Sequence, residues 1–149
     1  MLRSGWWSCS GHTSHCKQIE ALSKPVIAAI NGEAQGGGLE VALACDFRIM
    51  TDPGLLGFPE IGTGFVPGGG GTIRLPRIVG IARAKQMIML GQPIDAATAV
   101  HDGLVMAAVP PDQLMPEAMK LAERLVSLPP AALAAAKMPT PIQAKSNPL

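Results

Sequence analysis

Two isolated glutamates are the side chains of this sequence that could do chemistry. Glu40 is the only charged residue between positions 35 and 46, and Glu60 is the only one between positions 52 and 74. Carboxylates in apolar surroundings are costly to bury when ionised, so they commonly have raised pKa values or strong partners. A pair of them is typical of an acid–base site, although structural ion pairs and surface glutamates give the same isolated charges.

Three consecutive glycines, Gly36, Gly37 and Gly38, precede the apolar stretch that carries Glu40. Glycine costs about 1 kcal/mol inside a helix relative to alanine, so three at a helix start indicate backbone that approaches something closely. The first N–H groups of a helix lack partners and carry partial positive charge, which suits an oxygen that is or becomes negative. Glu40 follows Gly37 by three residues, on the same helix face.

The elements that must position these residues alternate between strands and helices. Short apolar runs bounded by turn residues predict strands over residues 26–30, 47–50, 55–58 and 104–109. Apolar spacing and cap residues predict helices over residues 37–44, 72–75, 81–90, 96–101, 113–127 and 131–137, with Pro76 ending the second and Asp95 capping the fourth. This alternation indicates an α/β architecture.

Composition and charge limit the function classes. The 149 residues show no break in composition, which predicts one domain or part of one. Apolar residues make up 48% and aromatic residues only 3%, so we expect an aliphatic core. The formal net charge is +1 and no apolar run approaches the roughly 18 residues of a membrane-spanning helix. We therefore predict a soluble protein with no nucleic acid and no membrane as partner.

Other glycine motifs fit the sequence less well. A strand, glycines, a helix and Asp52 twenty positions after Gly32 mimic a dinucleotide-binding unit, but the G-x-G-x-x-G order is absent. The same frame would fit a nucleophile elbow, but Ala34 occupies the serine position and excludes a serine nucleophile. No glycine run is followed by Lys-Ser or Lys-Thr, so a P-loop is excluded.

The remaining candidate residues are not expected to take part in catalysis. His101 is expected to be exposed on a short polar helix. The methionines expected to fill gaps in the core are Met87, Met89, Met106, Met115 and Met119.

Residues 1–23 do not resemble the rest of the chain. Two cysteines and two histidines lie within residues 9–16, but their spacing matches no zinc pattern, so no metal site is predicted. A loose tail and sequence left by truncation are the interpretations kept for this stretch, which also has a faint likeness to a mitochondrial presequence. Three cysteines, with Cys45 in an apolar helix, suit a reducing compartment. We predict the cytoplasm, with the mitochondrial matrix as the alternative.

Two sequence blocks resemble the signature of the enoyl-CoA hydratase/isomerase (crotonase) family. The first is K-P-V-I-A-A-I-N-G at residues 24–32, followed by A-x-G-G-G-x-E and A-L-A-C-D up to residue 46. The second is F-P-E-I-G at residues 58–62, followed by P-G-G-G-G-T and R-L up to residue 75. The resemblance covers residues 24–137 and implies a partial ClpP/crotonase-like fold, with ββα units followed by C-terminal helices. Residues 1–23 do not match, and residues 138–149 are expected to be a disordered tail.

The resemblance also implies roles for individual residues. Gly37 matches the family glycine whose amide forms half of an oxyanion hole. Glu40 and Glu60 match the two glutamates that hold and activate water in the hydratases, and Gly68 matches a glycine whose amide helps to position that water. The positions expected to bind substrate are Gly36, Gly68 and Pro59.

The implied activity is addition of water to trans-2-enoyl-CoA thioesters, in fatty acid β-oxidation or related acyl-CoA metabolism. Coenzyme A is part of the substrate, so no separate cofactor is expected, and the family implies a homo-oligomer, either a trimer or a hexamer. Both glutamates are present, which favours a hydratase over the family's isomerases, because those often keep only the Glu60 equivalent.

One region of the family pattern has no counterpart here. Relatives carry an earlier segment with an Ala-Gly-Ala-Asp-like loop, which supplies the second oxyanion amide and much of the coenzyme A contact, and nothing before Lys24 matches it. Two alternatives therefore stay open. One is a catalytically impaired crotonase-like fragment that acts as an interaction protein, and the other is an acyl-CoA isomerase of the same superfamily.

Overall fold

The computed structural model describes residues 10–138 of the protein. Its helices are α1 (Ser10–Ala21), α2 (Gly37–Ala44), α3 (Gly71–Val79), α4 (Ile81–Met89), α5 (Ala96–His101), α6 (Leu114–Val126) and α7 (Pro130–Lys137). Its strands are β1 (Ile27–Ile30), β2 (Ala34–Gln35), β3 (Phe47–Thr51), β4 (Leu55–Gly57), β5 (Ile94–Asp95) and β6 (Ala107–Val109). Two 3₁₀ helices cover Pro59–Thr63 and Pro111–Gln113.

The strands form two small sheets. In the first, β1, β3 and β6 run parallel, with β3 in the centre and Ile27 opposite Phe47. In the second, β4 lies between β2, which is parallel to it, and β5, which is antiparallel. Parallel strands need a crossover connection, and α2 supplies it between β1 and β3. The predicted α/β architecture is confirmed.

The main core is aliphatic, as the composition predicts. Leu39, Met50, Leu56 and Leu75 are fully buried within it, and Phe58 is its one large aromatic side chain among the described residues. A smaller cluster of Ile49, Leu114 and Ala118 joins α6 to the first sheet. Burial of apolar surface contributes roughly 25 cal/mol per Å², so these contacts hold α2 and the turn before α3 against the strands.

The predicted boundaries agree with most of the described elements. The helix over residues 37–44 and the helix over residues 96–101 have the predicted ends, and Asp95 caps α5 by accepting a hydrogen bond from the Thr98 N–H at 2.8 Å. His101 is exposed, as expected. The strand predicted over residues 104–109 is shorter and begins at Ala107, because the N–H groups of Leu104 and Val105 donate to the Ala99 carbonyl of α5.

Two predictions about local structure were wrong. Residues 10–21, for which no regular element was expected, form α1, whose Cys16 is fully buried against α2. Pro76 does not end α3, which continues to Val79. Proline removes one helical hydrogen bond, but Leu75, Ile78 and Val79 pack into the core and outweigh that loss.

The interpretation of the methionines was also wrong for four of the five. Met87 is buried in the core, whereas the others are 52–64% exposed: Met89, Met106, Met115 and Met119. Met115 and Met119 are four residues apart on α6, on an exposed face next to the buried face of Leu114 and Ala118. The exposure of these two methionines is therefore set by their position around the helix and not by the ability of methionine to fill gaps in a core.

Membrane-spanning helices and metal-binding groups were sought in the described part of the chain. Among residues 10–138, none of the helices has the length and apolar character needed to cross a bilayer. Within the same residues, no group of three or more His, Cys, Asp or Glu side chains is arranged to hold a metal ion. The predicted tail falls almost entirely at residues 139–149, outside the described residues.

Candidate active site

Glu40 lies in α2 and is 4% exposed. Its Oε2 accepts a hydrogen bond from the Gly69 N–H at 2.8 Å, and its Oε1 accepts one from the Gly71 N–H at 2.8 Å. An ionised carboxylate only accepts hydrogen bonds, so two amide donors suit it and offset much of the free-energy cost of its burial. No side chain among the described residues bonds either oxygen, so within this part of the chain the turn before α3 holds Glu40 through its backbone.

The glycines of that turn are needed because other groups approach them too closely for a side chain. A Cβ atom on Gly69 would lie 2.5 Å from Oε2 of Glu40, and one on Gly71 would lie 2.6 Å from Cζ of Phe58. Gly70 has φ +103°, a left-handed conformation that glycine adopts without strain. Three of the four glycines, Gly69 to Gly71, are thus accounted for by close approach and by backbone conformation.

The start of α2 lies close to Glu60. Gly36 is the residue before the helix, with φ +54°, and its N–H donates to the Gly57 carbonyl of β4 at 3.0 Å. A Cβ atom on Gly36 would lie 2.8 Å from Oε1 of Glu60. Gly37 is the first residue of α2, so its N–H has no acceptor within the helix. The helix start thus lies against the Glu60 carboxyl group.

Glu60 lies in the 3₁₀ helix Pro59–Thr63 and has a different environment. The residue is partly exposed, but its Oε2 is buried and accepts no hydrogen bond from any of the described residues. Burial raises the pKa of the Glu60 carboxyl group, the negative charge of Glu40 raises it further, and hydrogen bonding at its own backbone opposes them. A protonated carboxyl group is therefore favoured at this position relative to an ordinary glutamate.

The structure brings together most of the residues selected from the sequence. Gly36 at the start of α2 lies against Glu60, Glu40 follows Gly37 by three residues in the same helix, and the charge of Glu40 acts on Glu60. Gly68 is exposed and begins the turn whose next residue holds Glu40. Pro59 is exposed at the first position of the 3₁₀ helix, next to Glu60 but outside the contacts described above.

Sequence reasoning missed Gly69 and Gly71 as the residues that hold Glu40. The run of four glycines before α3 was a usable signal, because such a run indicates amides directed at a polar group. The sequence could not show that the polar group is a carboxylate of the protein itself, 29 and 31 positions earlier in the chain.

This arrangement is suited to moving protons next to a developing negative charge. One carboxyl group is held as an acceptor, and the other has a raised pKa that favours its protonated form. The first N–H groups of α2 have no acceptor within the helix and can stabilise an oxyanion.

Residues 8–147 match the family model described as Enoyl-CoA hydratase/isomerase. The chain belongs to the enoyl-CoA hydratase/isomerase family. Its similarity to a solved structure, the enoyl-CoA hydratase from Bacillus anthracis, has a TM-score of 0.84 at 45% identity, and covers 86% of this chain and 50% of that one. The crotonase-like fold expected from the sequence blocks is therefore confirmed.

Named relatives are similar at about the same level. The chain is 51% identical over 109 residues to a crotonyl-CoA hydratase of Syntrophomonas wolfei, covering 73% of this chain and 42% of the relative. It is 47% identical over 121 residues to a short-chain-enoyl-CoA hydratase of Clostridium acetobutylicum, covering 81% of this chain and 46% of the relative. The chain thus spans about half the length of the curated relatives that it matches.

Proposed function

We propose that the protein is an enoyl-CoA hydratase, a lyase that adds water to trans-2-enoyl-CoA thioesters in fatty acid β-oxidation or related acyl-CoA metabolism. The observation that carries this proposal is the pairing of Glu40 and Glu60 at the start of α2, with one carboxyl group bonded by two amides and the other with a raised pKa. The names of the relatives support the substrate class. Coenzyme A is part of the substrate, and the proposal needs no separate cofactor.

In the proposed reaction Glu40 is the base and Glu60 is the acid. Glu40 accepts a proton from water as the water oxygen bonds to the β-carbon. The electrons of the carbon–carbon double bond move toward the thioester, where the Gly37 N–H stabilises the oxygen. Glu60 then donates its proton to the α-carbon, which completes the addition. Transfer of a proton from Glu40 to Glu60 restores the starting state.

The Gly37 amide supplies the electrostatic part of the mechanism. A backbone N–H is held rigidly by α2 and needs no reorganisation when charge develops on the thioester oxygen. Loss of one such donor typically costs about 3–4 kcal/mol of transition-state stabilisation. We propose that Gly36, Gly68 and Pro59 contact the substrate around this point, Gly68 through a water that its amide helps to position.

The experiment that tests this function uses crotonyl-CoA and the purified protein. Hydration removes the conjugation between the double bond and the thioester, so the absorbance of the conjugated thioester should fall. Butyryl-CoA, which has no double bond, is the control substrate, and Glu40→Gln/Glu60→Gln is the control protein. If the absorbance falls equally with the double variant, the function assigned to this site is wrong.

We also propose a homo-oligomer, a trimer or a hexamer, in the cytoplasm, with the mitochondrial matrix as the alternative compartment. Bacterial relatives support the first compartment, and a 46% identical relative from Arabidopsis thaliana, named a probable mitochondrial enoyl-CoA hydratase, supports the second. Light scattering on the purified protein tests the assembly, and a monomer at micromolar concentration would contradict it.

A second candidate function is binding to a complete relative without catalysis. It is favoured by exposed apolar side chains on one face of α6, where Met115 is 58%, Met119 is 52% and Val126 is 84% exposed. Exposed apolar patches mark association surfaces. An inactive protein that joins oligomers of a full-length hydratase would support this candidate, whereas hydration of crotonyl-CoA by the chain alone would favour the first.

A further inference from the structure

We propose that Glu20 and Arg74 are positioning residues for Glu40. They act on the turn whose amides bond the Glu40 carboxylate. Nη1 of Arg74 donates to the Gly69 carbonyl at 2.7 Å, and the N–H of the same glycine donates to Oε2 of Glu40 at 2.8 Å. Arg74 thus holds the residue that directs its amide at the proposed base. The consequence for catalysis rests on the proposed hydratase function.

Arg74 is itself oriented by Glu20 of α1. Nε of Arg74 donates to Oε1 of Glu20 at 2.7 Å, and Nη2 donates to Oε2 at 2.8 Å. This bidentate contact occupies one edge of the planar guanidinium group and leaves Nη1 directed at Gly69. The Arg74 side chain is 13% exposed, so it cannot reorient freely in solvent. The hydrogen bond between them also lowers the pKa of Glu20 and raises that of Arg74.

Helix α1 contacts the site at a second point. Cys16 is fully buried, and its Sγ donates to the backbone carbonyl of Glu40 at 3.6 Å. Four residues further along α1, Glu20 bonds Arg74. The helix therefore contacts the backbone of Glu40 directly and the amide that holds its carboxylate through Arg74. Gly70 has no room for a side chain, because its Cβ would collide with Nη1 of Arg74.

If Glu20 and Arg74 formed only a surface ion pair, removing that pair would have a different effect on the turn that bonds Glu40. The Glu20 side chain is 47% exposed, and exposed ion pairs contribute little to stability. Removing its charge would then leave the Gly69 and Gly71 amides unchanged. A positioning role predicts that the hydrogen bonds of these two amides weaken, while turns that do not contact Glu20, Arg74 or Glu40 are unchanged.

The test is amide hydrogen exchange of the full chain labelled with ¹⁵N-glycine. The variants are Glu20→Gln and Arg74→Lys, with Arg124→Gln as the control, since Arg124 is an exposed arginine in the last turn of α6. We expect exchange at Gly69 and Gly71 to accelerate about 10- to 100-fold in both variants, the range for losing a hydrogen bond to a charged group. Gly64, whose N–H donates to the Ile61 carbonyl, should be unchanged in all three proteins.

The double variant Glu20→Gln/Arg74→Lys should have exchange rates close to those of Arg74→Lys alone, because Glu20 acts through Arg74. If Arg74→Lys unfolds the protein, Glu20→Gln still decides the question, since it changes only a half-exposed side chain. Unchanged exchange at Gly69 and Gly71 in Glu20→Gln overturns the proposal, whether or not the protein hydrates crotonyl-CoA.

Kinetics separate this proposal from the proposed function. In an active protein, Glu20→Gln should lower kcat by about 10- to 100-fold with little change in KM, as expected when a reacting group is misplaced. Accelerated exchange in a protein that shows no hydration supports the positioning role and contradicts the hydratase function. Accelerated exchange with kcat unchanged contradicts the positioning role in catalysis.

Discussion

Glu40 and Glu60 bring the same side chain to one site, but the protein surrounds the two carboxyl groups differently. Glu40 is 4% exposed, and each of its oxygens accepts a hydrogen bond from a backbone amide. Glu60 has a buried oxygen that accepts no hydrogen bond from the described residues, and burial raises its pKa. The comparison shows that two glutamates of one site can have different environments, because one carboxyl group accepts from two amides while burial raises the pKa of the other.

The two glycine runs explain why the environments differ. The run at residues 36–38 opens α2, where the first amides have no acceptor within the helix, and Gly36 lies against Glu60. The run at residues 68–71 instead directs two amides at Glu40. Similar stretches of sequence thus differ in use, one facing the proposed substrate and the other facing the protein's own carboxylate.

The largest effects are expected on catalysis. Glu40→Gln and Glu60→Gln should each lower the rate of crotonyl-CoA hydration by about 10²- to 10⁴-fold, because general acid–base catalysis contributes that range. Glu33→Gln is the control, since Glu33 is an exposed glutamate close to α2. A rate retained in either site variant would show that the two carboxyl groups do not act as a pair.

The next effect concerns the turn that distinguishes Glu40 from Glu60. Gly71→Ala should lower the free energy of unfolding by about 1–3 kcal/mol, because its methyl group would overlap the fully buried ring of Phe58. Gly62→Ala is the matched control, since nothing lies within 4 Å of a Cβ atom there. Urea unfolding measures both variants. Equal stability of the two would contradict the close packing described for the turn.

Stability also separates the two glutamates. In Glu40→Gln, an NH₂ group would face an amide N–H of Gly69 or Gly71, so two donors would meet, and we expect a loss of about 2 kcal/mol. Glu60→Gln should leave stability at neutral pH equal or higher, because it removes a carboxylate whose buried oxygen accepts no hydrogen bond. Urea unfolding of both variants in the same buffer is the measurement. A Glu60→Gln variant less stable than Glu40→Gln would contradict our description of the two environments.

The smallest effect is the dependence of stability on pH. The pKa of Glu60 is raised above its ordinary value of 4.5, so the folded protein binds this proton more tightly than the unfolded chain does. The contribution of Glu60 is therefore complete below pH 4.5 and is lost as pH rises through the folded pKa. The stability of Glu60→Gln relative to the unsubstituted protein should increase over that interval and then stay constant. A constant difference from pH 4 to pH 8 would show that the Glu60 carboxyl group is not perturbed.

Local sequence signals were sufficient for most of the elements. The helix start at Gly37 and the cap at Asp95 were predictable because glycine and aspartate act within a few residues of their own position. Prediction failed where distant contacts decide. Helix α1 has little apolar periodicity, yet it packs on α2 through Cys16 and on α3 through Glu20. Likewise α3 continues past Pro76 because its following turn is packed into the core.

The sequence by itself determined the type of site: two isolated glutamates, two glycine runs and the blocks that resemble the crotonase family. These features are local, so residue type and spacing express them directly. Only the tertiary structure decided that Gly69 and Gly71 hold Glu40, that Oε2 of Glu60 is buried with no hydrogen-bond donor among the described residues, and that Glu20 reaches Arg74. The physical reason is that a hydrogen bond depends on where two distant segments meet, and packing of the whole core sets that meeting point.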